Sequence, residues 1–104
     1  MPQAKVVEVV LFTLNEGINP ETFIASAAVT EAKVREYPGF VKRQLLQGED
    51  GQWTDLVWWE SLEDAHHAAE DIMQDVSCAP FMQAINPDSM QMFHLNPVAM
   101  MVEN

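Results

Sequence analysis

Lys5-Val6-Val7-Glu8-Val9-Val10-Leu11-Phe12-Thr13-Leu14 decides the fold. In an extended chain successive side chains point to opposite faces, so this run divides into two sets. Val6, Glu8, Val10, Phe12 and Leu14 form one set, and Val7, Val9, Leu11 and Thr13 form the other. Both sets are mainly apolar, and a strand apolar on both sides is buried on both sides. Trp53-Thr54-Asp55-Leu56-Val57-Trp58-Trp59-Glu60 reads the same way, with Trp53, Asp55, Val57 and Trp59 on one side and Thr54, Leu56, Trp58 and Glu60 on the other, so both faces carry large apolar groups.

Between these two runs the sequence predicts a helix and a second strand. Asn15-Glu16-Gly17 makes a turn, Asn19 fits the N-cap and Pro20 the first helical position. Ile18 and Phe23 stand where a hydrophobic staple places them. The apolar stripe Phe23, Ala27, Val34 and Tyr37 carries the helix to Pro38-Gly39, which ends it. Phe40 to Gln47 is a more polar strand, expected near a sheet edge, and Gly48-Glu49-Asp50-Gly51 is the hairpin turn that follows.

Beyond the third strand, Ser61 and Asp64 make a capping pair that opens a second helix. Its expected buried stripe is Leu62, Ala65, Ala69, Ile72, Met73 and Val76. Ala79-Pro80 breaks that pattern, and Phe81 to Ile85 is expected to add a short turn ended by Asn86-Pro87-Asp88. Met90 to Leu95 is the fourth strand, and Val98 to Val102 is a short apolar tail.

The order β-α-β-β-α-β is that of the ferredoxin-like split unit, an α+β fold with a four-stranded antiparallel sheet and both helices on one side. Two helices cover only one face, yet the first and third strands are apolar on both. A large exposed apolar patch is rare on a monomer, and an identical sheet from a second chain is the simplest cover. Scattered exposed Val and Trp is the other reading. The number of residues involved favours the homodimer.

Length and composition set outer bounds. The 104 residues suit a single domain, and 48% apolar content suits a folded one. The net charge is -11, from 16 acidic residues against Lys5, Lys33, Arg35, Lys42 and Arg43, which form no long basic run. Nucleic acid and anionic membranes need clustered positive charge, so neither is an expected partner. No apolar run approaches the ~20 residues of a membrane helix. The start lacks the long apolar core of a signal peptide, and the expected location is cytoplasmic. Cys78 is the only cysteine, which excludes an internal disulfide and a Cys-based metal site.

Tyr37-Pro38-Gly39-Phe40, Asp50-Gly51-Gln52-Trp53 and Val57-Trp58-Trp59-Glu60-Ser61, in this element order, resemble the dimeric α+β barrel superfamily. The resemblance runs over residues 5–96, leaving 97–104 as a tail. It is nearest to antibiotic-biosynthesis-monooxygenase-like proteins and to stress-responsive A/B barrel proteins. It implies two sheets packed into a barrel across a homodimer, with a pocket between sheet and helices in each subunit. Members include cofactor-independent monooxygenases, haem-degrading enzymes, polyketide cyclases, a muconolactone isomerase and proteins of no known activity, and the fold does not choose among them. Cyclase-like members place a catalytic His near the position of Glu8 and a second near Cys78, so cyclase chemistry does not carry over intact. Haem-degrading members place a ligating His where this chain has Phe81-Met82-Gln83-Ala84-Ile85.

Glu8 is the most informative single residue. A buried carboxylate is costly unless it is paired or protonated. It reads either as a general base toward an acidic C–H or phenol, or as an ion near a strand end reaching solvent or Lys5. Trp53, Asp55 and Trp59 share one strand face, which reads either as the wall of a site for a planar aromatic ligand or as core packing. His66 and His67 point about 100° apart on the second helix. His66 borders the buried stripe and is the candidate base, whereas His67 with Glu63, Glu70 and Asp71 reads as a solvated acidic face or a metal site. His94 is expected to line the barrel interior or the dimer contact. Phe12, Tyr37, Cys78 and Phe81 complete the expected pocket lining, with Tyr37 as a hydrogen-bond donor and Asn15 as a weaker candidate.

No Gly-rich phosphate loop and no nucleophile elbow occurs, so neither a nucleotide cofactor nor a hydrolase triad is expected, and no metal or other cofactor is called for. Two functions stay open. One is a cofactor-independent monooxygenase acting on a small aromatic or polyketide-like compound, with Glu8 or His66 as base. The other is a non-catalytic barrel protein that binds a small apolar ligand or is stress-associated.

Overall fold

Asn19 opens the first helix in the way its side chain allows: Oδ1 accepts the N–H of Glu21 at 2.8 Å, and Pro20 follows at the position where a missing N–H costs nothing. The computed structural model describes residues 4–103. It contains β1 (Val6–Phe12), α1 (Pro20–Val34), β2 (Phe40–Gln47), β3 (Trp53–Trp59), α2 (Leu62–Ile72), α3 (Ala79–Ala84) and β4 (Gln91–Leu95), with short 3-10 turns at Val76–Cys78 and Pro87–Ser89. The strands form one antiparallel sheet in the order β2-β3-β1-β4. The two strands apolar on both sides are therefore the central ones, and the more polar β2 is at an edge.

The alternation settles which face meets the helices. Val6, Glu8 and Phe12 of β1 and Trp53, Asp55, Val57 and Trp59 of β3 are buried beneath α1, α2 and α3. The opposite set is half-buried at most and has no helix over it among the described residues. Cross-strand rows of apolar groups run along it: Leu56, Val9 and Phe93 pair in register, as do Trp58, Val7 and Leu95. Lys42 adds its ammonium above the Trp58 ring at 4.4 Å on the same face.

The helices differ from expectation in ways packing explains. α1 stops at Val34 and Tyr37 falls in the following turn, where its N–H bonds the Val34 carbonyl. α2 buries Ala65 and Ala68, whereas Leu62, Met73 and Val76 are exposed and not part of a buried stripe. Small residues on the inner face let α2 lie close to Val57 and Trp59, which turns the larger side chains outward. Helical pairing also ends before Val76, where Asp75 caps the next turn through the Ser77 N–H. β1 ends at Phe12, and Leu14 makes only an isolated bridge to Ile85. Glu60 leaves β3 to bond the Gly39 carbonyl, and Met90 precedes β4 rather than starting it.

Two apolar clusters fill the space between sheet and helices. One joins Phe12, Phe23, Trp53 and Phe81, with Phe23 stacked on Phe81 at 4.9 Å. The other joins Val34, Val57, Trp59, Ala65 and Ala68. They do not merge into one continuous core.

Gly39 carries one sharp stability prediction. Its φ is +84°, and a Cβ there runs into the Asp64 side chain, which is held by Ser61 at the start of α2. Gly17 has a similar φ of +87° with open space around it. Gly39→Ala is expected to lower the melting temperature clearly more than Gly17→Ala. Both suffer the left-handed penalty of roughly 1–2 kcal/mol, and only Gly39→Ala also displaces the cap of α2. Equal losses in a thermal melt would show that the Asp64 contact is immaterial.

Candidate functional site

A cavity of about 160 Å³ lies where the two apolar clusters fail to meet. Phe12 and Phe81 close it from one side, Val57, Trp59 and Ala68 from the other, and Met73, Met82, Met90 and Met92 border it. A cavity near 150 Å³ is large enough to take a benzene ring. The methionines are unbranched and adaptable, so this border can reshape around a bulkier guest.

Two carboxylates face this apolar space, and their surroundings give them different tasks. Asp55 is committed to Arg43: Nε meets Oδ1 at 2.9 Å and Nη2 meets Oδ2 at 2.8 Å, a bidentate pair with both side chains about nine-tenths buried. Arg43 spends a third donor on Thr30 Oγ1 at 2.7 Å, and that hydroxyl donates to the Ala27 carbonyl. The trio is closed, with its charge balanced inside the wall.

Glu8 is differently placed. Its position in β1 is buried, and it lines the cavity beside Val10 and Phe12. One oxygen, Oε2, is 3.0 Å from His94 Nε2 on β4, the residue directly across the strand pair. Burial pushes the Glu8 carboxyl above the usual carboxylate range, and the hydrogen bond and charge of His94 pull partly back. Asp55 pushes in the same direction as burial, and His66 in the opposite one. A carboxyl raised in this way holds its proton to higher pH than an ordinary Glu, which is the direction a general base near working pH needs.

The remaining candidates separate into those at the cavity and those away from it. Phe12, Asp55, Trp59 and Phe81 line it together with Glu8. Trp53 packs edge-on against Phe23 at 5.0 Å and borders a different depression beside α1. Tyr37 donates to Asp71 on α2, and burial together with that bond raises its phenol pKa. Cys78 is fully buried outside the lining, and burial raises its thiol pKa, which makes it a packed core residue. Asn15 ties the loop to α3 through the carbonyls of Gln83 and Ile85.

His66 is exposed on α2 outside the cavity, in a surface depression shared with His67, Glu63 and Glu70. Its ring stands edge-on to His94 with centroids 5.1 Å apart. Among the described residues no three His, Cys, Asp or Glu side chains converge as a metal would require. No helix among them is long and apolar enough to cross a membrane.

Two features of the site were not assigned from sequence. In the sequence Arg43 is one of five scattered cations. The signal was its place opposite Val57 in the β2–β3 register, on the face of Asp55. The other is the Trp59 indole N–H, the buried side-chain donor left without a partner among the described residues.

No protein-family model matches the sequence, and no curated protein does. Solved structures do match along nearly the full length. A mutant of SnoaB, a cofactor-independent oxygenase from Streptomyces nogalater, has a TM-score of 0.75 at 19% identity, over 97% of this chain and 100% of that one. A monooxygenase from the gene ActVA-Orf6 of Streptomyces coelicolor, in complex with nanaomycin D, has a TM-score of 0.71 at 18% identity, over 100% and 96% of the two chains. A dimeric ferredoxin-like protein from an uncultured marine organism has a TM-score of 0.72 at 9% identity, over 99% and 96%. The chain thus has the ferredoxin-like α+β fold that these solved structures share.

Proposed function

We propose that the protein is a cofactor-independent monooxygenase for a small phenolic or related aromatic compound, working as a homodimer with Glu8 as its base. The observation that carries this reading is a buried carboxylate with a raised pKa opening on an apolar, aromatic-walled cavity. Glu8 takes the proton of a phenol O–H or an acidic C–H. The resulting anion is electron-rich enough to react with dioxygen directly, forming a C–O bond and a peroxide that recovers the proton. Loss of the ring hydrogen with cleavage of the O–O bond then leaves a carbonyl and releases water. For a phenol with a free para position, phenol plus O2 gives quinone plus H2O, and the substrate supplies all four electrons. Trp59, Phe12 and Phe81 orient the ring, the Trp59 N–H offers a hydrogen bond to a substrate oxygen, and the apolar wall excludes water. Two oxygenases among the structural neighbours support the reading.

Oxygen consumption with phenol and 1-naphthol tests it. The expected result is one O2 consumed per quinone formed, without accumulation of hydrogen peroxide. Uptake no faster than that of a Glu8→Gln variant would remove the oxygenase reading for these compounds. Binding of 1-naphthol without uptake would leave a small-ligand-binding barrel instead.

The uncovered sheet face supports the homodimer, and so does the dimeric ferredoxin-like neighbour. Val9 lies at the middle of the Leu56–Val9–Phe93 row, where a second sheet would bury it. Sedimentation is expected to give about twice the chain mass of 11.7 kDa. Val9→Arg is expected to dissociate or aggregate the protein, since an unpaired charge in an apolar contact costs several kcal/mol. A wild-type monomer at micromolar concentration would overturn the pairing.

A further inference from the structure

We propose that His94 is the positioning residue of this site: its imidazole holds one oxygen of Glu8 and turns the other toward the cavity. The proposal rests on the reading of Glu8 as base and extends it to a residue the substrate does not touch. Glu8 and His94 are directly paired across β1 and β4, so the backbone register itself brings the two side chains together. Beside an ionised carboxylate, Nε2 carries the hydrogen and donates it to Oε2 at 3.0 Å. Oε2 is thereby occupied, and Oε1 is left for a ligand in the cavity that Glu8 lines.

The groups around Glu8 show why such a partner is needed. From β3 the Asp55 carboxylate disfavours a second negative charge nearby, and from β2 Arg43 is spent on Asp55 and Thr30 rather than on Glu8. From α2 His66 contributes from the surface, edge-on to the His94 ring. His94 makes the only hydrogen bond to the Glu8 side chain among the described residues. Its own side chain is about one-fifth exposed, so it bridges the buried carboxyl and solvent without lining the cavity. His66 is thus placed against the imidazole as a neighbour that limits its rotation, not as a second base.

Two variants separate positioning from packing. His94→Gln keeps an N–H donor and loses the ionisable ring, whereas His94→Phe keeps a ring and loses the donor. The carboxyl carbon of Glu8, labelled with 13C, is titrated by NMR in the ligand-free protein. The midpoint is expected to move to higher pH in both variants and further in His94→Phe, because removing the bond and the charge leaves burial unopposed. With 1-naphthol as probe, the pH dependence of kcat is expected to follow the same order. The plateau rate in His94→Gln should stay within about threefold of wild type, and in His94→Phe it should fall about tenfold or more, as misplacement of a reacting group costs. An unmoved Glu8 midpoint in His94→Phe would overturn the proposal. A displaced midpoint with no oxygen uptake by wild type would instead keep the His94–Glu8 assignment and discard the oxygenase reading.

Discussion

Glu8→Gln is expected to lower oxygen uptake with a phenolic substrate by about 10²–10⁴-fold, the range over which a positioned general base contributes. The amide keeps the size of the side chain and retains hydrogen bonding to His94, so the cavity should stay intact and 1-naphthol should still bind. The stability effect should have the opposite sense. Glu8 has a folded-state pKa above its ordinary value of 4.5, chiefly through burial. The folded state then holds that proton more tightly than the unfolded chain. Stability attributable to Glu8 is full below the unfolded value and declines as pH rises through the folded one. Above that folded value the ionised group is a net cost, and Gln removes it. The variant should therefore melt at or above the wild-type temperature while losing turnover, the combination expected when a residue is retained for chemistry rather than for folding. The wild-type rate should rise with pH along a limb above the usual carboxylate range, since only the ionised form accepts a proton. That limb should be absent in the variant. A Glu8→Gln protein that turns over normally, or one that melts well below wild type, would reassign Glu8 to structure.

The fold was legible because its determining signal is a period of two read on two strands. Both faces of Val6–Phe12 and Trp53–Trp59 are apolar, the pattern of central strands, and these two runs are the central strands of the sheet. Caps were equally legible, because Asn19 and Ser61 act on N–H groups two and three residues away. The buried face of α2 was not. Its choice of Ala65 and Ala68 over Leu62 and Met73 depends on how closely the helix approaches the sheet, which its own periodicity does not encode. The site divides along the same line. Glu8 announces itself as a charge within an apolar face. His66 borders the expected stripe by spacing, yet it lies outside the cavity because α2 is rotated about its small residues. Arg43 and His94 are found only through register, since each meets its carboxylate across neighbouring strands: Arg43 reaches Asp55 from β2, and His94 reaches Glu8 from β4.

Arg43→Met is expected to destabilise the protein by about 3–5 kcal/mol, the cost of leaving a buried carboxylate without its partner. Asp55 is 8% exposed and receives two hydrogen bonds from Arg43, with no third side-chain donor to it among the described residues. Methionine fills much of the same space, so the loss measures charge and hydrogen bonding rather than a cavity. For a domain of this size each kcal/mol corresponds to roughly 4–8 °C, and the melting temperature should fall by tens of degrees or nearly so. The loss should be repaired from the other side. Arg43→Met combined with Asp55→Leu removes both charges, and replacing a buried pair with apolar groups of similar volume is often neutral or stabilising. The double variant should thus recover most of the single variant's deficit, giving a large coupling energy in a double-mutant cycle. It should also change the cavity: without Asp55, one of the influences that raises the Glu8 carboxyl is gone, and the activity limb should move to lower pH. Chemical denaturation of the four proteins decides the matter. An Arg43→Met loss below about 1 kcal/mol, the range of solvent-exposed pairs, would mean that the wall is wet and the Arg43–Asp55 pair does not seal the site.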